Sequence, residues 1–104
     1  MLVAFSVAPA AGDESGSVAT AVAAAVQVVR ESGLPHETTS MFTTIEGEWD
    51  EVFDVVKRAT DAVVAVSSRV SLVLKADIRP GRTGEMQAKL DRLEAAISAG
   101  DRSA

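Results

Sequence analysis

The chain has 104 residues, 47% of them hydrophobic but only four aromatic, with no cysteine and a formal net charge of −5. That length bounds it to a single domain over residues 1–104 with one core and no deep cavity of its own. The charge argues against a nucleic-acid partner, which needs a basic face, and the missing cysteines exclude a disulfide frame, a thiolate metal site and a thiol nucleophile.

The first strand is expected over Leu2–Ala8, with Val3, Phe5 and Val7 on one face and Ala4, Ser6 and Ala8 on the other. This alternation reads as a strand rather than a secretion leader. Large residues should face helices, leaving the Ser6 side open or packed on a second subunit. Pro9–Gly16 is a connection in which Ser15 or Ser17 can cap the next helix. It lacks the glycine spacing and lysine of a phosphate-binding loop.

Helical spacing of Val18, Val22, Ala25, Val26 and Val29 predicts a helix over Val18–Ser32. Gly33 and Pro35 end it. A second strand is expected over His36–Met41, with a two-residue or bulged link near Phe42 and Thr43 leading antiparallel into the third. His36 is the only histidine; without cysteine partners it reads as a strand-start residue.

Met41 to Trp49 stands out. Read as a strand entering a helix, it puts Thr44 and Glu46 on one face and Thr43, Ile45 and Gly47 on the other. Glu46 is then a carboxylate among hydroxyl-bearing and apolar neighbours. The second helix begins near Trp49 or Asp50, with Trp49, Val52, Phe53, Val56, Ala59 and Val63 as its buried stripe. A last strand over Ser68–Arg79 turns Val70, Leu72, Leu74, Ala76 and Ile78 inward, and Lys75 and Asp77 onto the face of Ser6, Thr44 and Glu46. Pro80-Gly81 stops it. A third helix, Glu85–Ala99, carries Met86, Leu90, Leu93, Ala96 and Ile97, ends at Gly100, and leaves Asp101–Ala104 as a tail.

Strand, helix, strand, strand, helix, strand is the split βαβ pattern. The expected fold is therefore α+β: a ferredoxin-like βαββαβ sandwich with a four-stranded antiparallel sheet and an extra C-terminal helix. Its uncovered face favours a homodimer or homotetramer. No nucleophile, base and orienting group stand at recognisable spacing. An enzyme using Glu46 and Lys75 as acid and base is the weaker reading. No catalytic residue, metal or cofactor is expected. No apolar run nears the roughly 20 residues of a membrane span, and the cytoplasm is the expected setting.

Four segments carry a resemblance: Val3–Pro9, Val28–Pro35 with its Ser-Gly-Leu-Pro, Met41–Val52 with Thr-Thr-Ile-Glu-Gly, and Arg69–Gly81 with Lys-x-Asp-x-Arg. In order and register they resemble the thiamine-binding, YkoF-like family of small ferredoxin-like proteins. The resemblance implies a cytosolic, non-enzymatic protein, dimers joining into tetramers through their sheets, and thiamine or its hydroxymethylpyrimidine part as ligand. The candidate ligand residues are Ser6, Met41, Phe42, Thr43, Thr44, Glu46 and Lys75. Glu46 suits the amino group or a protonated ring nitrogen, the hydroxyls donate and accept, and Met41, Phe42 or Trp49 can contact a flat ring. Lys75 is better placed to pair with Glu46 or Asp77 than to touch a cation. Family members usually carry glycine where Phe42 stands, and its ring either walls or fills the pocket. The alternative is a ligand-free assembly or regulatory module.

Overall fold

Alternation in the first strand decides which side of the sheet is covered. In the computed structural model, which describes residues 1–10 and 17–103, Val3, Phe5 and Val7 are buried beneath helices. The elements run β1 (Leu2–Pro9), α1 (Ser17–Glu31), β2 (His36–Thr38), β3 (Thr43–Glu46), α2 (Trp49–Val64), β4 (Val70–Asp77) and α3 (Glu85–Ser103). The strands form one sheet in the order β2-β3-β1-β4, and every neighbouring pair is antiparallel. This is the expected split βαβ sandwich with one added helix.

The core lies between one sheet face and α1 with α2. Val3, Phe5, Val7 and Ile45 from the sheet meet Ala21, Ala25 and Val29 of α1 and Val52, Val55, Val56, Ala59 and Val63 of α2. Alanines on α1 let that helix sit close to the sheet. Residues opposite one another across an antiparallel pair share a face. The register Leu2↔Glu46, Ala4↔Thr44, Leu2↔Asp77 and Ala4↔Lys75 therefore puts Thr44, Glu46, Lys75 and Asp77 together on the other face.

Several expectations are corrected. The strand β2 stops at Thr38 rather than Met41 because the next threonine builds its own turn. The Thr39 N–H donates to the Phe42 carbonyl at 2.9 Å, and the Phe42 N–H donates to Thr39 Oγ1 at 3.2 Å. Such local bonds compete with a sheet ladder, so the link is Thr39–Phe42, earlier than expected. The strand β4 is trimmed to Val70–Asp77, and Leu72 and Ile78, expected to face the helices, are exposed. On α1 the buried stripe is Ala21, Ala25 and Val29, while Val18 and Val22 are exposed.

Trp49 is not in the core. It is 54% exposed at the first position of α2, where its ring stacks on Phe53 with centroids 5.0 Å apart. A helical side chain leans toward the turn before it, and here that turn lies beyond the covered sheet. Val55 takes a core place instead. The helix α3 runs through Gly100 to Ser103, because glycine permits a left-handed backbone but does not require one. Ser15 and most of the Pro9–Gly16 connection lie outside the described residues.

Candidate functional site

Unequal strand lengths create a notch. The strand β1 pairs with β4 along all of Leu2–Pro9, but with β3 only along Leu2–Phe5. The chain that would have continued β3 backward turns away at Thr39–Phe42. From Ser6 to Ala8 the β3-facing edge of β1 therefore has no strand beside it among the described residues. The notch, about 190 Å³, is closed by Val22 and Val26 of α1 and by the turn carrying Met41, Phe42 and Thr43. Unpaired main-chain N–H and C=O groups between apolar walls can recognise a flat molecule with a donor–acceptor edge. Thr43 is buried, and its hydroxyl lies 3.4 Å from that of Thr38.

Four candidate residues, Ser6, Met41, Phe42 and Thr43, meet in this notch. Val22 and Val26 of α1, expected in the core, are lining residues that the sequence did not single out. Their signal was an apolar stripe wider than a core-facing one, which extends past the buried Ala21–Ala25–Val29 line.

The other three candidates lie elsewhere. Thr44 and Lys75 flank Ala4 on the open face. Glu46 stands at the far end of that face, only 7% exposed, where its carboxylate caps α3. The Glu85 N–H donates to Oε2 at 2.7 Å and the Met86 N–H to Oε1 at 3.3 Å. These are the unpaired amides that every helix start must satisfy, and the helix dipole favours negative charge there. Glu46 also borders a shallow concavity with Leu34, Pro35 and Arg82.

Beside it, the buried Glu85 accepts a hydrogen bond from Arg92 Nη2 at 3.0 Å, with Arg82 and Arg79 at 3.4 and 3.7 Å. The Arg92 hydrogen bond holds the Glu85 carboxyl below its ordinary 4.5; burial pushes the other way, and the charges of all three arginines add to the lowering. Lys89 pairs with Asp77 across the α3–sheet junction and likewise depresses that carboxyl from 3.8. A depressed folded value means the stabilisation is complete above the unfolded value and is lost as pH falls through the folded one. Stability should therefore be insensitive to these groups at neutral pH and begin to fall as pH drops below about 5. Urea midpoints taken across pH should show a shallower acid limb in Glu85→Gln. An unchanged limb would exclude Glu85 as its source.

Among the described residues, no group of three or more His, Cys, Asp or Glu side chains is placed to hold a metal. No helix there is long and apolar enough to cross a membrane. His36 is exposed, its Nδ1 2.9 Å from the Leu34 carbonyl oxygen.

Fold and notch describe a small ferredoxin-like domain with a candidate site for a flat ligand. The sequence profile of the thiamine-binding protein family matches residues 3–94, and the chain belongs to that family. It is 50% identical over 96 residues to UPF0045 protein Mb1933 of Mycobacterium bovis, covering 90% of this chain and 91% of the relative. A DUF77 domain from Bacillus cereus superposes with a TM-score of 0.71 at 38% identity, over 82% of this chain and 83% of that one. A Thermotoga maritima protein proposed for thiamine biosynthesis or salvage gives a TM-score of 0.70 at 28% identity, over 85% and 94%.

Proposed function

We propose that this protein is a non-enzymatic, cytoplasmic binder of thiamine or its hydroxymethylpyrimidine moiety, and that the pyrimidine occupies the β1 notch. The observation that carries this reading is the unpaired Ser6–Ala8 edge at the floor of an apolar concavity. An aminopyrimidine presents a ring-nitrogen acceptor beside an amino donor, which matches the alternating donors and acceptors of a bare strand edge. Phe42 and Met41 supply a face for the ring, and the Ser6 and Thr43 hydroxyls supply adaptable partners. Thr44 and Lys75 reach a ligand only where a second copy covers the open sheet face, as in a homodimer or homotetramer, while the Glu46 carboxylate is taken up as the cap of α3.

Calorimetric titration with thiamine and with hydroxymethylpyrimidine tests this. Saturable heat is expected with both, because the recognised part is shared. Phe42→Ala should weaken binding by about tenfold, the worth of an aromatic contact plus its buried area. Saturable binding that is indifferent to both Phe42→Ala and Thr43→Val would place the ligand elsewhere.

One observation favours a second reading, a ligand-free assembly module. Leu90, Leu93 and Ile97 form an exposed apolar row on α3. No heat with either compound at millimolar concentration would favour it.

A further inference from the structure

We propose a second ligand site, at the opposite end of β1 from the notch: a groove that takes a small phosphorylated compound with a flat ring. It does not depend on the thiamine reading.

The site begins with a turn. Arg79-Pro80-Gly81-Arg82 follows β4 after the single residue Ile78. Proline at the second position, Gly81 at φ +78° and an Arg82 N–H donating to the Arg79 carbonyl at 3.1 Å are the features of a type II β-turn. Such a turn sets the backbones of its first and last residues side by side, and both guanidiniums then converge on the Glu85 carboxylate, at 3.7 and 3.4 Å. Both are about half exposed.

Their charge is only partly met. Glu85 is the carboxylate they approach, and Arg92 holds its one hydrogen bond from a side chain. At 3.7 and 3.4 Å, Arg79 and Arg82 make ion pairs with Glu85 but donate no side-chain hydrogen bond among the described residues. Each guanidinium carries five N–H donors in a planar fork suited to an oxyanion. One fork satisfies a carboxylate; two neighbouring forks match the three free oxygens of a phosphate ester.

The same groove has an aromatic lining residue. Trp49, Arg79 and Arg82 line one groove of about 250 Å³, together with Met1, Gly47 and Ile78. An exposed tryptophan already stacked on Phe53 offers its free face to a planar ring. The volume falls short of the roughly 300–1,000 Å³ of pockets that enclose drug-sized ligands, so the occupant is small and partly solvated. Glu48 also lines the groove. It forms a capping box with Glu51, whose Oε1 accepts the Glu48 N–H at 3.0 Å, at the positive end of α2. The dipole there offsets its charge.

The chain contains a single tryptophan and no tyrosine, so its fluorescence reports on this groove alone. Titration with AMP should give a saturable change in Trp49 emission that weakens with added salt. Adenosine should give none at the same concentration, and inorganic phosphate should compete with AMP. Arg79→Gln and Arg82→Gln should each weaken AMP binding by about tenfold or more, the worth of a charge-assisted hydrogen bond. Both arginines also brace Glu85, so Gly81→Ala is the second variant. It keeps every charge, and its added Cβ meets nothing within 4 Å, yet a left-handed backbone there resists alanine; it too should weaken AMP. Lys57→Gln, on the outer side of α2, should bind as the parent does. No saturable AMP binding by fluorescence and equilibrium dialysis overturns the site. So does equal binding of adenosine, or equal loss in Lys57→Gln.

Discussion

Glu46→Ala is expected to release α3 from the sheet while leaving the core folded. Both carboxylate oxygens are engaged by the first two amides of that helix, across 39 and 40 residues of sequence. Little else holds it: Lys89–Asp77 near its second turn, and the ion pairs of Arg79 and Arg82 with Glu85 at its start. Farther along, Leu90, Leu93 and Ile97 are exposed. Losing a helix cap costs about 0.5–2 kcal/mol, and charged hydrogen bonds run about 1.5–3 kcal/mol. A loss of about 2–3 kcal/mol is expected, concentrated in α3. Hydrogen exchange should show the Glu85, Met86 and Ala88 amides losing protection, while those of Val52–Ala59 keep theirs. Unaltered protection at Glu85 and Met86 would refute the capping role. Thiamine affinity measured on the same variant separates two uses of the carboxylate. If affinity collapses while α3 stays protected, Glu46 serves the ligand instead.

That outcome matters because Glu46 marks how far a sequence can be read. Its face and its neighbours followed from strand alternation, and the register confirms them. Its partner did not, because nothing local says that a carboxylate in β3 will meet amides some 40 positions later. The fold was legible for a related reason. Val3, Phe5 and Val7 alternate without ambiguity, and Ser32-Gly33-Leu34-Pro35 ends α1 by chemistry visible in the letters. Gly33 takes φ +78°, and the Ser32 hydroxyl donates to the Val29 carbonyl at 2.6 Å. Where single residues have two uses, the pattern misled. Thr39 fits a strand by propensity, but its oxygen bonds to its own turn. Trp49 fits the periodicity of a buried stripe, but periodicity gives the side of a helix and not whether the sheet reaches that far.

The candidate site divided along the same line. Residues clustered around a turn, Met41, Phe42 and Thr43, could be grouped from the chain itself, and Ser6 joins them because β1 outruns β3. Thr44 and Lys75 were correctly put on the open face, but that face and the notch are separate surfaces of a single chain. Joining them takes a second copy. The Arg79–Arg82 adjacency was written in Pro80-Gly81; its meeting with Trp49 was not, since α2 begins 30 residues before the turn.

Ile45→Ala should be among the most damaging single changes in the protein, and Leu93→Ala beside it separates burial from mere hydrophobicity. Ile45 is 0% exposed on β3, directly across from Val3, where the sheet meets the helices. Removing its outer carbons leaves a void that close packing cannot fill without strain. Such changes cost about 2–5 kcal/mol, against a total stability of about 5–15 kcal/mol for a domain. At roughly 4–8 °C per kcal/mol, the melting temperature should fall by at least about 8 °C. Leu93 is larger than many core residues but 56% exposed. In a monomer its truncation should stay within about 0.5 kcal/mol. A partner chain packed on the α3 row changes that arithmetic, because the same side chain is then buried and its loss resembles that of Ile45. Melting both variants over a range of protein concentrations reads the difference. A concentration-dependent deficit in Leu93→Ala would show that the row is covered by another copy, whereas a small, constant one would show that it faces water. An Ile45→Ala protein as stable as its parent would contradict the packing described for the core.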